Sequence, residues 1–239
     1  MKKIYLYLIS GTVLFTACTR EIDGITPPPV QEKACTAQTA NPVGRSYSSD
    51  SVVTYPCTDN HCGILPLSTR NYWVYLDSFF INGEFSRMQY DTLRYTETYK
   101  SLSDGLIWWK SNMSVGLPAT LYANDSAFFM MDDRMFNREI KDVHRDYAIG
   151  SVDSVRYLSS FDDIAAFAKS VRKTESISTP AGNFDQYYYF EKSAPRVRRD
   201  QVYFKPGLGV VKYVIEQAAP GTYVTKVQQI STLVKFHID

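Results

Sequence analysis

The sequence predicts a mainly β fold, a curved antiparallel sheet of half-barrel type with one short helix. Three observations support this prediction. The chain contains 18 Tyr, 13 Phe and 3 Trp among 239 residues, and aromatic residues favour strands. From residue 66 onward, apolar and β-branched runs alternate with short segments of turn residues. Two of those turns, Asn82-Gly83 and Pro206-Gly207-Leu208-Gly209, are typical of β-hairpins.

The first hairpin begins the predicted domain, which spans residues 66–239. Asn71–Ile81 is aromatic and aliphatic throughout, and Arg87–Tyr99 resumes with Thr and Tyr after the Asn82-Gly83 turn. Asn-Gly between two apolar runs is the strongest short-range hairpin signal. We therefore expect these two runs to pair antiparallel.

The remaining elements follow in order along the chain. Asp162–Lys169 has an acidic start followed by Ile-Ala-Ala-Phe-Ala, which predicts the short helix. A second hairpin turn is predicted at Thr179-Pro180-Ala181-Gly182. The other strands are predicted at Gly105–Lys110, Ala119–Ala123, Ala127–Met131, Val171–Thr179, Gln186–Lys192, Gln201–Lys205, Val210–Gln217 and Tyr223–Ile238.

The last strand predicts an irregularity. Alternation places Ile230, Val234 and Phe236 on one face, with Ser231 and Lys235 on the other, as in a sheet covered on one side. Earlier in the run the apolar residues change parity, which predicts a β-bulge near residues 228 and 229. Long strands in a sheet of eight or more are also expected to curl.

The first residues predict export and anchoring. Lys2 and Lys3 precede an apolar run, Ile4–Phe15, which is too short to span a bilayer because a transmembrane helix needs about 20 residues. The ending Phe15-Thr16-Ala17-Cys18 resembles a bacterial lipoprotein signal peptide. The resemblance implies cleavage of residues 1–17, acylation of Cys18, by palmitate among other chains, and a membrane anchor. A cleaved secretory signal with an ordinary cysteine is the alternative.

The sequence predicts the membrane to which the protein is anchored but not the side of it on which the folded body lies. Thr19 follows the cysteine, which by resemblance to enteric lipoproteins favours the outer membrane, with periplasmic or surface exposure left open. Residues 18–65 contain Thr26-Pro27-Pro28-Pro29 and a Ser/Thr-rich run without periodicity, which predicts a spacer. The chain has 26 basic and 25 acidic side chains. With this balance of charges, the protein has no net positive field that would attract nucleic acid.

Three cysteines follow the predicted anchor. In an oxidising envelope compartment, Cys57 and Cys62 are the first candidates for a disulfide, because a turn-like segment separates them. Cys35 with either of them is the alternative. A metal site formed by Cys57, His61 and Cys62 would need a fourth ligand. We expect no metal and no cofactor.

Several phrases of the domain resemble a group of envelope lipoproteins of Gram-negative bacteria. They are Pro66-Leu67 with Asn71-Tyr72-Trp73-Val74-Tyr75, then Thr179–Phe184, then Pro206–Lys212. The resemblance covers roughly residues 66–216, and its motifs are turns and strand starts. It implies a curved sheet similar to the lipoprotein-carrier half-barrels, whose concave face takes acyl chains. The resemblance does not assign a catalytic role to any residue of this chain.

No catalytic motif emerges from the titratable residues. The histidines at 61, 144 and 237 lack a nucleophile at motif spacing, so we expect surface positions for them. The adjacent carboxylates of Asp132 and Asp133 should point to opposite faces of a strand or lie in a turn. The candidate ligand-binding residues are Tyr187 and Tyr189, from an aromatic strand, and Arg196, Arg198 and Arg199, which could contact phosphates or an acidic glycan.

These features predict a binding protein rather than an enzyme. The ligand would be an apolar or amphipathic envelope molecule held in the concavity. The first alternative is a structural or partner-binding lipoprotein whose aromatic residues form a core or an interface. The sequence does not identify its protein partner. An envelope glycan hydrolase has the weakest support, because no acid, base or nucleophile constellation is visible.

Overall fold

The computed structural model describes residues 36–57, 60–134, 137–150, 156–158 and 164–239. The predicted signal peptide, Cys18 and Cys35 lie outside these ranges. Within them, no helix has the length and apolar character that crossing a membrane requires.

The described chain is built almost wholly from strands. They are β1 (Thr36–Ala37), β2 (Ser46–Ser48), β3 (Val52–Thr54), β4 (His61–Cys62), β5 (Tyr72–Ile81), β6 (Glu84–Ser101), β7 (Ile107–Ser111), β8 (Thr120–Ala123), β9 (Ala127–Arg134), β10 (Asn137–Ala148), β11 (Arg156–Leu158), β12 (Ile164–Lys173), β13 (Ile177–Thr179), β14 (Gly182–Phe184), β15 (Tyr187–Ala194), β16 (Arg198–Lys205), β17 (Gly209–Ala218) and β18 (Thr225–His237). One 3-10 turn covers Ser49–Ser51.

Fourteen of these strands form one antiparallel sheet, which is not closed into a barrel. Its order is β11-β12-β15-β16-β17-β18-β5-β6-β7-β8-β9-β10-β2, with β3 paired to β6 outside this path. The mainly β antiparallel prediction is confirmed. Two smaller pairs, β1 with β4 and β13 with β14, complete the described strands.

The sheet rolls over so that its two halves pack face to face. Tyr147 on β10 stacks on Phe190 of β15, with ring centroids 4.8 Å apart. Phe128 on β9 meets Phe204 of β16 at 5.0 Å. These four rings are at most 1% exposed, so the middle of the inner face is a filled aromatic core rather than a cavity.

The predicted turns and the predicted bulge are confirmed. Asn82 and Gly83 join β5 to β6 with φ of 53° and 84°, the left-handed pair that a type I′ hairpin turn requires. The turns at residues 179–182 and 206–209 also join paired strands. On β18, Gln229 opposes Ile215 and Val227 opposes Glu216, so Gln228 is the inserted residue of a bulge.

The predicted helix at Asp162–Lys169 is wrong, because its described residues belong to strand β12. Phe167–Lys173 pairs residue by residue with β15. The buried positions of β12 alternate with exposed ones: Ala166, Ala168 and Ser170 are buried, whereas Phe167 and Val171 are exposed. That period of two belongs to a strand, and pairing with β15 outweighs the helix propensity of alanine.

The folded body also begins earlier than the predicted boundary at residue 66. β2 pairs with β10, and β3 pairs with β6. Tyr47, Ile64 and Leu65 are buried in the core. The described part of the predicted spacer therefore packs on the sheet, because it contributes apolar side chains at these positions.

Candidate functional site

On β15 and β16, the inner face of the sheet changes from apolar to charged between two neighbouring rows of residues. One row runs across six strands through directly paired residues, from Phe190 on β15 to Gln89 on β6. Its members are Phe190, Val202, Tyr213, Ser231, Asp77 and Gln89. All but Gln89 are buried. This row is the last layer of the core.

The next row on the same face has charged or polar side chains on four of its six strands. It consists of Lys192, Asp200, Ile215, Gln229, Phe79 and Arg87. Paired residues point to the same side of a sheet and residues two apart share a face. The row therefore lies on the inner side of the sheet, where its position places polar groups at the edge of the core.

A buried ion pair joins the two halves of the sheet at this edge. The ammonium of Lys192 on β15 contacts the carboxylate of Asp146 on β10, and their side chains are 5% and 0% exposed. The same ammonium lies 4.8 Å from the centroid of the Tyr147 ring. Burying two charges is costly unless each is paired, and these contacts provide the pairing.

A second charged group lies beside the first. Arg198 on β16 bonds Asp200 through Nε and Nη2, at 2.8 and 3.0 Å, and the Tyr213 hydroxyl donates to the same carboxylate at 2.9 Å. Burial opposes the charged guanidinium, but its bonds to Asp200 outweigh burial and raise the pKa of Arg198. Burial first, and then Asp200, raises the pKa of Tyr213. Tyr213 therefore remains a neutral hydrogen-bond donor.

These charged groups line a cavity of about 350 Å³, which we call the mouth pocket. Lys192, Arg198, Asp200 and Tyr213 form its polar side. Its apolar side comes from Met130 and Met131 of β9 and from the loop between β7 and β8. The full lining is Ser114, Gly116, Leu117, Pro118, Ala119, Thr120, Met130, Met131, Asp132, Lys192, Arg198, Asp200 and Tyr213.

Close contact holds the loop between β7 and β8 against the polar side. Gly116 has φ of +73°, and a Cβ there would lie 2.5 Å from Val202 Cγ2 and 2.9 Å from Tyr213 Cδ2. Only glycine permits both the dihedral and this approach. The mouth pocket therefore has a wall of fixed shape.

A second cavity of about 380 Å³, which we call the end pocket, adjoins the mouth pocket at Arg198. It lies at the tip of the β5–β6 hairpin and beside the bulge of β18. Its lining combines aromatic, arginine and glutamine side chains. The lining residues are Phe79, Phe80, Ile81, Ser86, Arg87, Arg198, Ile215, Gln217, Gln228 and Gln229.

The structure places Arg198 apart from the other residues predicted to bind a ligand. Arg199 forms three bonds to Glu216, of 2.6 to 3.1 Å, and follows Arg198 directly on the strand, so it faces the opposite side of the sheet. Arg196 is exposed in the preceding turn, with φ of 63°. Of these three arginines, Arg198 lines both pockets.

The two predicted tyrosines lie together but away from both pockets. Their rings contact Tyr203, at 5.8 Å for Tyr187 and 5.3 Å for Tyr189. Tyr187 is buried, and the hydroxyl of half-buried Tyr189 donates to Glu191. Burial first, and then Glu191, raises the pKa of Tyr189. Both rings therefore form an aromatic cluster with Tyr203.

No single sequence motif identifies Lys192, Asp200 or Tyr213, yet a joint pattern exists. Along β15 the residues Tyr188, Phe190 and Lys192 share one face, and along β16 so do Phe204, Val202 and Asp200. Each series changes from aromatic or apolar to charged at the same row. Comparing alternate residues of neighbouring strands would have located the site.

The predicted disulfide between Cys57 and Cys62 is wrong. Cys57 is a buried cysteine outside any disulfide, whereas Cys62 is disulfide-bonded. The backbone N–H of Cys57 bonds Thr98 Oγ1 of β6 at 3.2 Å, which directs this segment into the core. The alternative pairing with Cys35 involves a residue outside the described ranges and stays a prediction.

His61 is buried rather than at the surface, which corrects the expectation for it. Its Nδ1 accepts from Trp109 Nε1 at 3.3 Å and also contacts the Gln38 amide. Its Nε2 lies 3.5 Å from the Cys57 sulfur, and burial lowers its pKa. His144 and His237 are exposed. Among the described residues, no three His, Cys, Asp or Glu side chains are grouped to hold a metal ion.

No family model and no curated protein matches the chain. Among solved structures it is similar to one described as "a putative lipoprotein from Parabacteroides distasonis ATCC 8503". The identity is 17%, the TM-score is 0.34, and the alignment covers 77% of this chain and 100% of the other. A likeness at this level carries no argument about function. The family resemblance of the sequence phrases stays a prediction.

Proposed function

We propose that this protein is a lipid-anchored protein of the bacterial outer membrane whose folded body binds an amphipathic envelope molecule without catalysis. The mouth pocket carries the proposal, because one cavity combines buried charged groups with an apolar wall. Buried charged groups beside a cavity are typical of functional sites. The N-terminal pattern ending at Cys18 supports the anchor and the location.

The polar and apolar parts of the pocket suit different parts of such a molecule. Its polar group would face Lys192, Arg198 and the Tyr213 hydroxyl. Its apolar portion would pack on Met130, Met131 and Leu117, because thioether side chains adapt to irregular apolar surfaces. The filled aromatic core argues against an acyl chain running through the middle of the sheet.

Native mass spectrometry of the full-length protein purified from membranes tests this proposal. We expect a bound amphipathic molecule that Met131→Asp removes, because a carboxylate on the apolar wall opposes its burial. Met88→Asp is the matched control, since Met88 is 62% exposed on β6. Absence of any bound molecule, or equal retention by Met131→Asp, would contradict the proposal.

Binding to a protein partner is the second candidate function. Two adjoining turns expose large apolar side chains: Ile81 and Phe85 are 66% and 59% exposed, and Tyr223 and Val224 are 77% and 63% exposed. A Cβ at Gly83 would lie 3.3 Å from Lys226 Cδ, so the two turns are neighbours. Clustered exposed apolar residues favour association. Crosslinking to one defined protein, without bound amphiphile, would favour this function.

A further inference from the structure

The end pocket differs from the mouth pocket in its charge. Its described lining contains two arginines, Arg87 and Arg198, and no carboxylate. The mouth pocket balances Lys192 and Arg198 with Asp132 and Asp200. The end pocket is therefore rich in hydrogen-bond donors, and because Asp200 pairs with Arg198, its excess positive charge comes from Arg87.

Both guanidinium groups are held in place by neighbouring side chains. Arg87 lies over the Phe79 ring at 4.5 Å from its centroid, and its Nη1 donates to Gln89 Oε1 at 2.7 Å. Arg198 is held by two bonds to Asp200. A guanidinium presents five donors, so these bonds leave donor capacity for a ligand at Arg87. A fixed planar fork matches the oxygens of a carboxylate or phosphate.

The bulge of β18 adds amide donors to the pocket. Adjacent strand residues normally face opposite sides, but the inserted Gln228 and its neighbour Gln229 both line the cavity. No described residue forms a hydrogen bond with the side-chain amides of Gln217 and Gln228. Gln229 Nε2 donates to Ser231 Oγ at 3.0 Å. Two amide groups are therefore available to a ligand that accepts hydrogen bonds.

We propose that the end pocket binds an oxyanion, the phosphate or carboxylate group of the amphipathic molecule. This inference rests on the proposed function and adds an anionic group to its ligand, beyond the polar atoms that face Lys192 and Tyr213 in the mouth pocket. Arg87, Gln217 and Gln228 contact the oxyanion. Arg198 lines both pockets, and the molecule extends past its side chain into the mouth pocket. Phe80 and Ile81 cover the atoms that join the oxyanion to the rest of the molecule.

Isothermal titration calorimetry with three defined probes tests the inference on the full chain. Dihexanoyl phosphatidic acid carries a lipid phosphate, trigalacturonate carries sugar carboxylates, and octyl glucoside is an uncharged amphiphile. We expect one anionic probe to bind more tightly than octyl glucoside and to weaken with added salt. The probe that binds identifies whether a lipid or a glycan supplies the oxyanion.

Arginine variants locate the binding. Arg87→Gln should weaken the anionic probe about tenfold or more, because a charge-assisted bond is lost. Arg94→Gln is the matched control. Arg94 is an exposed residue of the same strand, it stacks on Tyr72 at 4.6 Å, and it lines neither pocket. Both positions are exposed, so both variants should fold, which circular dichroism checks.

The outcomes separate this inference from the function on which it rests. Equal weakening by the two arginine variants, equal affinity for octyl glucoside, or no binding of either anionic probe overturns the oxyanion site. If native mass spectrometry still detects an amphiphile removed by Met131→Asp, the proposed function stands without it. If neither an amphiphile nor any probe binds, the proposed function fails as well.

Discussion

Asp77 marks the boundary between the aromatic core and the polar end of the inner face. It is 1% exposed, and its Oδ1 has no hydrogen-bond partner among the described residues. Burial first, and then the neighbouring Asp91 carboxyl, raises the pKa of Asp77. The folded protein therefore favours the protonated form of this side chain.

The raised pKa of Asp77 gives stability a definite dependence on pH. Stability from a raised carboxyl pKa is fully present below the unfolded value near 3.9 and is lost as pH rises through the folded value. Asp77→Asn, which stays neutral, should raise the melting temperature at pH 8 by about 3 °C or more, with a smaller gain at pH 4.5. Scanning fluorimetry at pH 4.5 and pH 8 measures the melting temperatures of the wild type and the variant. Asp50→Asn is the control, because Asp50 is exposed. An equal gain at both pH values would contradict the assignment.

Lys192 and Asp146 allow a second prediction at the same scale. Lys192→Met leaves the buried Asp146 carboxylate without its ammonium, so the free energy of unfolding should fall by about 3 kcal/mol. The double variant Lys192→Met with Asp146→Leu should recover most of that loss, since replacing both charges by apolar groups is close to neutral. Urea denaturation of the wild type, the single variant and the double variant measures these free energies of unfolding. A double variant as unstable as the single one would contradict a pairing role.

The turn between β5 and β6 controls the shape of the end pocket at the scale of an element. Gly83 has φ of 84° and approaches the Lys226 side chain, so Gly83→Val should destabilise the protein by about 1 to 3 kcal/mol. Gly83→Asn should cost less, because asparagine tolerates the left-handed region. Urea midpoints for the two variants test this order, and equal costs would assign the loss to crowding rather than to the dihedral.

Local signals predicted the hairpins better than they predicted the faces of strands. The turn at Asn82-Gly83 and the bulge at Gln228 depend on neighbouring residues, and both are confirmed. On β18, however, Ser231 and Leu233 are the buried residues, whereas Phe236 is 37% exposed. A second irregularity between Leu233 and Lys235 changes the parity against β5. The apolar pattern alone could not reveal it, because it depends on the partner strand.

At the scale of the molecule, the site depends on the rolling of the sheet. The contact between Lys192 and Asp146 joins β15 to β10, which no hydrogen-bonded ladder connects. Composition and turn signals predicted a curved antiparallel sheet of half-barrel type but could not predict which strands would meet across its interior. The mouth pocket therefore had no signature in any single segment, although one of its residues, Arg198, was predicted.

The anchoring of this body to a membrane is a prediction about Cys18. If Cys18 is acylated, labelled palmitate should enter the wild-type protein and be absent from Cys18→Ala, which should leave the membrane fraction or persist as an uncleaved precursor. Cys35→Ala is the matched control, because it removes another cysteine of the same N-terminal region while leaving the signal sequence intact, and it should incorporate the label normally. A single saturated chain gives only marginal membrane binding, so stable attachment implies more than one chain. No labelling of either protein would mean that the N-terminal pattern is an ordinary secretory signal, and equal labelling of both would place the acyl chain on a residue other than Cys18.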